Sequence, residues 1–174
     1  SVPAQPIVNG DRVMVAGPKG KGKLFCRTLW PQNANISSVP LSSIAPSAGL
    51  QGWQVQVTPP TAQTDDIFLH LLYITTPAAA AMPDTVRVQA SQGNMIGAHI
   101  READGNLLVL FSADREAGAP SGSIVYSFQP TAVTRHRLLN LTPGKSYTVT
   151  VRVSGGSQQV TVQPGSCLLY TSDA

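Results

Sequence analysis

The sequence predicts an all-β protein, folded as an antiparallel β-sandwich. Short strand patterns recur along the chain with turn residues between them, at roughly the 8 to 12 residue spacing that sandwiches and barrels show. The 15 Gly and 14 Pro residues are spread over the whole length, which suits many strands joined by turns. No stretch of about ten residues has a helical period. Apolar residues make up 42% of the chain and charged residues 12%, a balance that excludes a disordered protein.

The N-terminal half contains strand patterns separated by turns and by a Pro- and Ser-rich stretch at 31–49. These patterns are RVMVA (12–16), KLFCRTLW (23–30), GWQVQVT (52–58) and DIFLHLLYITT (66–76). The third pattern alternates, with Trp53, Val55 and Val57 on one face, and this favours a core position for Trp53. The fourth is apolar on both faces, which predicts a central strand covered on both sides.

The C-terminal half continues the series with shorter turns. Its strand patterns are TVRVQAS (85–91), MIGAHI (95–100), LLVLFSA (107–113), SIVYSFQ (123–129), VTRHRLL (133–139), SYTVTVRV (146–153) and QQVTVQ (158–163). Each pattern is rich in β-branched and aromatic residues and is bounded by Gly, Pro, Ser, Asn or Asp. These features predict a strand at each position.

One segment of this half, LTPGKSYTVTVRV (141–153), resembles the tyrosine corner of fibronectin type III and related sandwiches. In that motif a turn formed by Pro143 and Gly144 leads into a strand. The Tyr, here Tyr147, sends its hydroxyl back to the backbone a few residues upstream. The resemblance implies a structural role for these three residues and a sandwich of immunoglobulin-like, fibronectin-like or jelly-roll-like type.

The length of 174 residues allows one sizeable domain, which we assign to residues 1–166. The net charge of +3 is too small for the basic footprint of a nucleic-acid-binding domain. No apolar run approaches the roughly 20 residues of a membrane-spanning helix. We therefore predict no nucleic-acid partner and no membrane span. Because the chain does not begin with Met, we expect a processed product or a piece of a longer chain.

The last eight residues, CLLYTSDA (167–174), resemble the translation of a transposon-derived adapter used in sequencing libraries. The resemblance implies a metagenomic source and a natural sequence that stops near Ser166. Cys167 then carries no evolutionary information, and we expect Cys26 to be a free, buried, hydrophobic side chain. A disulfide between Cys26 and Cys167 is the alternative.

The segment AGPKGKGKLF (16–25) has the spacing of a phosphate-binding P-loop, with Gly17 followed after four residues by Gly22 and Lys23. A P-loop needs a Ser or Thr after the Lys and a helix beyond it. Leu24 occupies that position here, and the segment lies between two strand patterns. We therefore predict a hairpin loop with solvated lysines, without nucleotide binding.

The titratable residues do not form a recognised catalytic or metal-binding motif. His70 lies on an apolar strand face, where a hydrogen-bonded core role is the favoured interpretation, and His99 and His136 are isolated in sequence. The acidic turns at 65–66 and 104–106 are explained by turn conformation more simply than by Ca²⁺ binding. No G-x-S-x-G motif is present, which argues against a serine hydrolase. We predict no metal and no cofactor.

Four residues are candidates for binding a carbohydrate. Trp30 precedes a Pro at a strand end, where its ring could stack on a sugar. Arg27, Arg135 and Arg137 could pair with the carboxylates or sulfates of an acidic glycan, although exposed strand positions need no such role. An acidic polysaccharide is therefore the expected partner.

A broader resemblance covers residues 8–153. The segments GKLFCRTLWPQNANI, GWQVQVTPPTAQTDDIFLHLLYITT and GAHIREADGNLLVLFSA together resemble the C-terminal β-sandwich portion of heparinase II/III-like polysaccharide lyases. The resemblance implies a bacterial, secreted or periplasmic enzyme that cleaves uronic-acid polysaccharides by β-elimination. It places the catalytic Tyr and His residues largely on an upstream helical toroid and on the start of the sheet domain. The helical part is absent here, so no catalytic residue is assigned from the resemblance. A free-standing carbohydrate-binding or adhesion module is the alternative.

We expect no lyase activity from this chain alone. β-Elimination needs a base for the C5 proton, an acid for the leaving oxygen and a group that neutralises the carboxylate. Of the four tyrosines, Tyr147 belongs to the corner, Tyr170 to the adapter-like tail and Tyr73 to a predicted buried strand. Only Tyr126 has no structural role, and no base is paired with it in the sequence.

Overall fold

The computed structural model describes residues 4–46, 49, 51–114 and 120–165, and these confirm the all-β prediction. Of the described residues, 56% are in strands and 5% are helical, and the strands form several antiparallel sheets. It divides into two compact units, Ser1–Met82 and Pro83–Ala174. The assignment of 1–166 to a single domain stays a prediction. The adapter-like tail, with Tyr170 and the alternative partner Cys167, lies outside the described residues.

The N-terminal unit is built from six strands and two short helical turns within its described residues. They are β1 (Ile7–Asn9), β2 (Arg12–Ala16), a 3-10 turn (Pro18–Gly20), β3 (Lys23–Trp30), β4 (Asn35–Pro40), α1 (Leu41–Ile44), β5 (Trp53–Thr58) and β6 (Leu69–Thr75). One sheet has the order β1-β2-β3-β6, and β4 and β5 form a separate antiparallel ribbon. All pairs are antiparallel.

Strand β6 corrects one expectation about this unit. The apolar pattern of 66–76 predicted a central, covered strand, but β6 lies at the edge of its sheet. Its side chains alternate in exposure, and Leu72 and Ile74 are 61% and 83% exposed. Trp53, expected in the core, is half-buried on β5, and Val55 on the same face is exposed. The apolar pattern located these strands but did not reveal whether another layer covers them.

The loop between β2 and β3 is the hairpin connection that the sequence predicted. The two strands pair antiparallel, and the N–H of Gly17 donates to the carbonyl of Gly22 at 2.8 Å to close the loop. Lys23 Nζ donates to the carbonyl of Ala79 at 2.8 Å, so its ammonium is held by the protein. No helix follows, and the geometry of a P-loop is therefore missing.

The C-terminal unit has seven strands within its described residues. They are β7 (Asp84–Gln89), β8 (Met95–Glu102), β9 (Gly105–Ser112), β10 (Ile124–Phe128), β11 (Thr134–Leu138), β12 (Ser146–Ser154) and β13 (Ser157–Gly165). One sheet has the order β11-β9-β8-β7 and the other β10-β13-β12. Every pair is antiparallel except β9 and β11, which run parallel because the chain crosses to β10 in the other sheet between them.

The core of the C-terminal unit lies between its two sheets. Alternate residues of β9 are buried, such as Leu108 and Leu110, and they pack in one cluster with Ile124 and Tyr126 of β10 and with Val160 of β13. This alternation is the pattern expected for a strand with one face on a core. The unit is thus a β-sandwich. Its strand order differs from that of immunoglobulin constant domains, because its third strand, β9, pairs with its second strand, β8, in the same sheet.

A turn at Pro143 and Gly144 connects β11 to β12. Gly144 has a φ of 73°, the left-handed conformation that the third position of a type II turn requires. Tyr147 Oη accepts a hydrogen bond from the N–H of Thr142 at 2.9 Å. This is the contact that defines a tyrosine corner, and it lies between the fifth and sixth strands of the sandwich, where that motif belongs.

Candidate functional site

The side chains of Arg135 and Arg137 project from the same face of β11, the edge strand of the four-stranded sheet. The two residues are exposed, whereas Thr134, His136 and Leu138 between and beside them are partly buried. Residues two apart on a strand are separated by about 6.6 Å. Neither guanidinium has a hydrogen-bond or ion-pair partner among the residues that the structure describes. The two cations thus form a short basic strip that is open to a ligand.

The surroundings of the two arginines differ. Their register partners on β9 are apolar, Leu107 beside Arg135 and Val109 beside Arg137. Glu102 and Asp104 line a shallow hollow of about 220 Å³ that also includes Arg135. Two carboxylates near Arg135 weaken its attraction for an anion. Arg137 is therefore the stronger anion-binding residue of the pair.

The other two carbohydrate-binding candidates, Arg27 and Trp30, lie on β3 in the N-terminal unit. Arg27 Nε donates to Asp11 Oδ2 at 2.9 Å, and only 16% of the arginine side chain is exposed. Its charge is therefore matched within the protein. Trp30 is half-buried at the end of β3, opposite Leu69, so only part of its ring can meet a ligand.

A buried pair, Tyr126 and His136, was not foreseen. The sequence left Tyr126 without a partner and His136 isolated, but Tyr126 Oη and His136 Nδ1 lie 2.9 Å apart. Tyr126 is 1% exposed, and burial raises the pKa of its hydroxyl well above the usual range. Burial likewise lowers the pKa of His136. Both groups are therefore neutral at physiological pH, and the pair stabilises the core.

His99 is also buried, and it lies in a cleft at the β7 edge of the sandwich. Its ring is 1% exposed and packs edge-on against Phe128, with ring centres 5.1 Å apart. The cleft has a volume of about 260 Å³, and Arg101, two residues further along β8, lines it as well. Arg101 Nη1 donates to Asp84 Oδ2 at 2.9 Å.

The environment of His99 favours its neutral form. Burial lowers the pKa of His99 most, and the positive charge of Arg101 and the protonated form of His136 lower it further. Asp84 acts in the opposite direction but does not outweigh these effects. A neutral imidazole can donate one hydrogen bond and accept another. His99 can therefore bind a polar ligand without carrying a charge.

The remaining candidates have ordinary structural explanations. His70 Nδ1 lies 3.1 Å from Thr28 Oγ1, the hydrogen bond that its core interpretation required, although the ring is half-buried. Cys26 has a free, half-buried thiol whose pKa is raised by burial. Within the described part of the chain, no group of three His, Cys, Asp or Glu side chains could hold a metal ion.

Strand periodicity could have paired some of these residues and not others. The i, i+2 spacing of Arg135 and Arg137 places them on one face, and the same rule places His99 and Arg101 together on β8. The contact between Tyr126 and His136 could not be found in this way, because β10 and β11 belong to different sheets.

Comparison with known proteins does not assign a function to these residues. None of the described helices is long and apolar enough to cross a membrane. No protein-family model matches the sequence, and no curated protein matches it either.

Proposed function

We propose that this chain binds acidic glycans without cleaving them, as the β-sandwich portion of a heparinase II/III-like polysaccharide lyase. The observation that carries the proposal is the pair of exposed cations on β11, Arg135 and Arg137, without partners among the described residues. A guanidinium binds carboxylates and sulfates through paired hydrogen bonds. Two of them along an edge strand suit a linear polymer with repeated anionic groups.

The absence of cleavage follows from the burial of the Tyr and His groups in the C-terminal unit. An elimination base must reach the C5 proton of a bound sugar within hydrogen-bond distance. Tyr126 and His99 are each 1% exposed, and the Tyr126 hydroxyl is already bonded to His136. None of these three side chains lies on the exposed face of β11 that carries Arg135 and Arg137, so none can reach a polysaccharide bound there. Catalysis would then belong to the upstream helical toroid of the parent enzyme.

Binding is tested with immobilised heparin, alginate and hyaluronan. We expect the purified chain to bind at low salt and to elute as the salt concentration rises, because screening weakens exposed ionic contacts. Arg137→Gln should weaken binding about tenfold, as expected for the loss of one charged hydrogen-bonded contact. Arg135→Gln should weaken it less, because Glu102 and Asp104 lie nearby.

The matched control is Arg152→Gln on β12. Arg152 is also exposed on a strand and has no partner among the described residues, so its loss changes the net charge equally. If Arg152→Gln weakens binding as much as Arg137→Gln, the β11 strip is not the site. Absorbance of the unsaturated uronyl product should stay at background, and product formation lost in Tyr126→Phe would contradict the non-catalytic assignment.

A further inference from the structure

The cleft around His99 contains two buried nitrogen atoms whose hydrogen bonds are not satisfied by the described residues. They are His99 Nε2 and Arg101 Nε. Buried polar groups in native proteins are nearly always hydrogen-bonded, and an exception needs an explanation such as a bound molecule. The two side chains lie two residues apart on the same face of β8, and both line the cleft.

The charges around the cleft suit an anionic ligand, because two arginines, Arg87 and Arg101, line it. Arg101 already shares its guanidinium with Asp84, so one carboxylate partly compensates the cation. The Nε atom remains available as a donor, and a planar carboxylate fits such a donor well.

The remaining walls combine apolar and polar groups. Val86 and Phe128 provide apolar surface, and Ser127 and Gln129 provide groups that can bond to hydroxyls. The volume of about 260 Å³ equals that of about nine water molecules in the liquid. This is room for a molecule of monosaccharide size. Convergent polar groups in a mainly apolar concavity are typical of small-molecule sites.

We propose that the cleft at the β7 edge binds a small hydroxylated monocarboxylate, of the class of the sugar acids. Its carboxylate accepts a hydrogen bond from Arg101 Nε, and a neighbouring oxygen bonds to His99 Nε2. The site is separate from the β11 arginines, because β7 and β11 form opposite edges of the four-stranded sheet. The inference therefore does not rest on polysaccharide binding at β11.

The test titrates the full chain with glucuronate while the ¹⁵N resonance of His99 Nε2 is followed by NMR. We expect a saturable shift with a Kd of about 1 mM or tighter, which is within reach of a few oriented hydrogen bonds. Glucose is the matched uncharged probe and should leave the resonance unchanged. Acetate, which lacks the hydroxyls, should bind at least about tenfold more weakly.

Two arginine variants assign the contact. Arg101→Gln should weaken glucuronate binding at least about tenfold, because the charged donor is lost. Arg135→Gln should leave it unchanged, since Arg135 lies at the other edge of the sheet. The wild-type comparison of glucuronate with glucose and acetate needs no variant, and it decides the question even if Arg101→Gln fails to fold.

Three results would overturn the proposal. The first is the lack of any saturable shift at His99, which would mean that only water satisfies the two nitrogens. The second is a response to glucose or to acetate equal to that to glucuronate. An equal response to glucose would show that the carboxylate is not recognised, and an equal response to acetate would show that the hydroxyls are not recognised. The third is an equal loss of binding in Arg135→Gln and in a folded Arg101→Gln.

Discussion

His99 and His136 both contribute to the core of the sandwich, where both contact the ring of Phe128. The centre of the Phe128 ring is 5.1 Å from each imidazole, and both contacts are edge-on. Buried imidazoles are expensive to protonate in such surroundings, because the charged form loses its hydration. The sequence suggested two unrelated histidines, and the structure shows that they share one aromatic neighbour.

These two residues predict that the protein loses stability in mild acid. Their pKa values in the folded protein are lowered, chiefly by burial, whereas an unfolded histidine titrates near about 6.5. Their contribution to stability is complete above that pKa and declines as the pH falls below it, because the unfolded chain then binds more protons. The temperature of the unfolding midpoint should therefore decrease as the pH is lowered from about 7.5 to about 6.

Thermal unfolding of His136→Asn checks the assignment. The amide oxygen of Asn can replace Nδ1 as the partner of the Tyr126 hydroxyl, and Asn does not titrate. The pH dependence of the midpoint should then be smaller than in the wild type, with the part due to His99 left. A midpoint that rises in mild acid would contradict the prediction.

Single residues also show how far the candidate sites could be predicted. The exposure of Arg135 and Arg137 follows from strand alternation, and it was foreseen. Arg27 is also an arginine on a strand, yet it forms an ion pair with Asp11, which precedes β2. That ion pair depends on the register between β2 and β3, where Arg12 lies opposite Arg27. Register is set by tertiary contacts, so local patterns do not reveal such a partner.

At the scale of elements, each predicted strand pattern overlaps a strand of the structure, because alternation and turn residues are local signals. Two strands were missed. Strand β1 is only three residues long, and β4 lies in the Pro- and Ser-rich stretch that was assigned to a loop. Strand β4 pairs only with β5, and it ends at Pro40, where the missing N–H matters least.

Strand β8 gives a sharp prediction at this scale. A Cβ atom on Gly97 would lie 1.8 Å from the carbonyl oxygen of Val109 on β9, closer than any real contact. The clash involves backbone, so a side chain cannot move aside. Gly97→Ala should destabilise the protein by about 3 kcal/mol or more and lower the melting temperature by about 10 °C.

Gly122→Ala is the matched control for this substitution. Gly122 has no atom within 4 Å of its added Cβ, and neither glycine has a positive φ, so both tests isolate the steric effect. We expect the control to unfold within about 1 °C of the wild type, because it adds only a methyl group in open space. Equal melting temperatures for the two variants would contradict the prediction, because β8 and β9 would then have moved apart at Gly97 without loss of stability.

At the scale of the whole molecule, the two compact units differ in how they are built. The C-terminal unit has one continuous apolar cluster drawn from both of its sheets. The buried apolar residues of the N-terminal unit are few among those described, namely Val13, Leu29 and Met82. The sequence indicated one domain because its length suits a single sizeable core, and length alone does not show where a core ends.

This difference predicts separate behaviour for two fragments. Residues 83–165 expressed alone should unfold cooperatively on heating, because every member of the apolar cluster lies within them. Residues 4–82 should unfold with a broader transition, since a chain of that size with a small core is marginal. Circular dichroism during thermal unfolding measures both. An unfolded 83–165 fragment would instead support the single-domain assignment.

The parallel pairing of β9 with β11 has a consequence for the rate at which the C-terminal unit folds. Strands β12 and β13 form a hairpin between neighbours in the chain, with Ser154 opposite Ser157, so their ladder closes over a very short loop. Strand β11 can join β9 only after the chain has passed through β10 in the opposite sheet. Such distant pairings carry a large entropy of loop closure before any contact forms, and high contact order slows folding to milliseconds or seconds. We therefore expect the β12–β13 hairpin to be protected early in refolding and the β9–β11 ladder to be protected last.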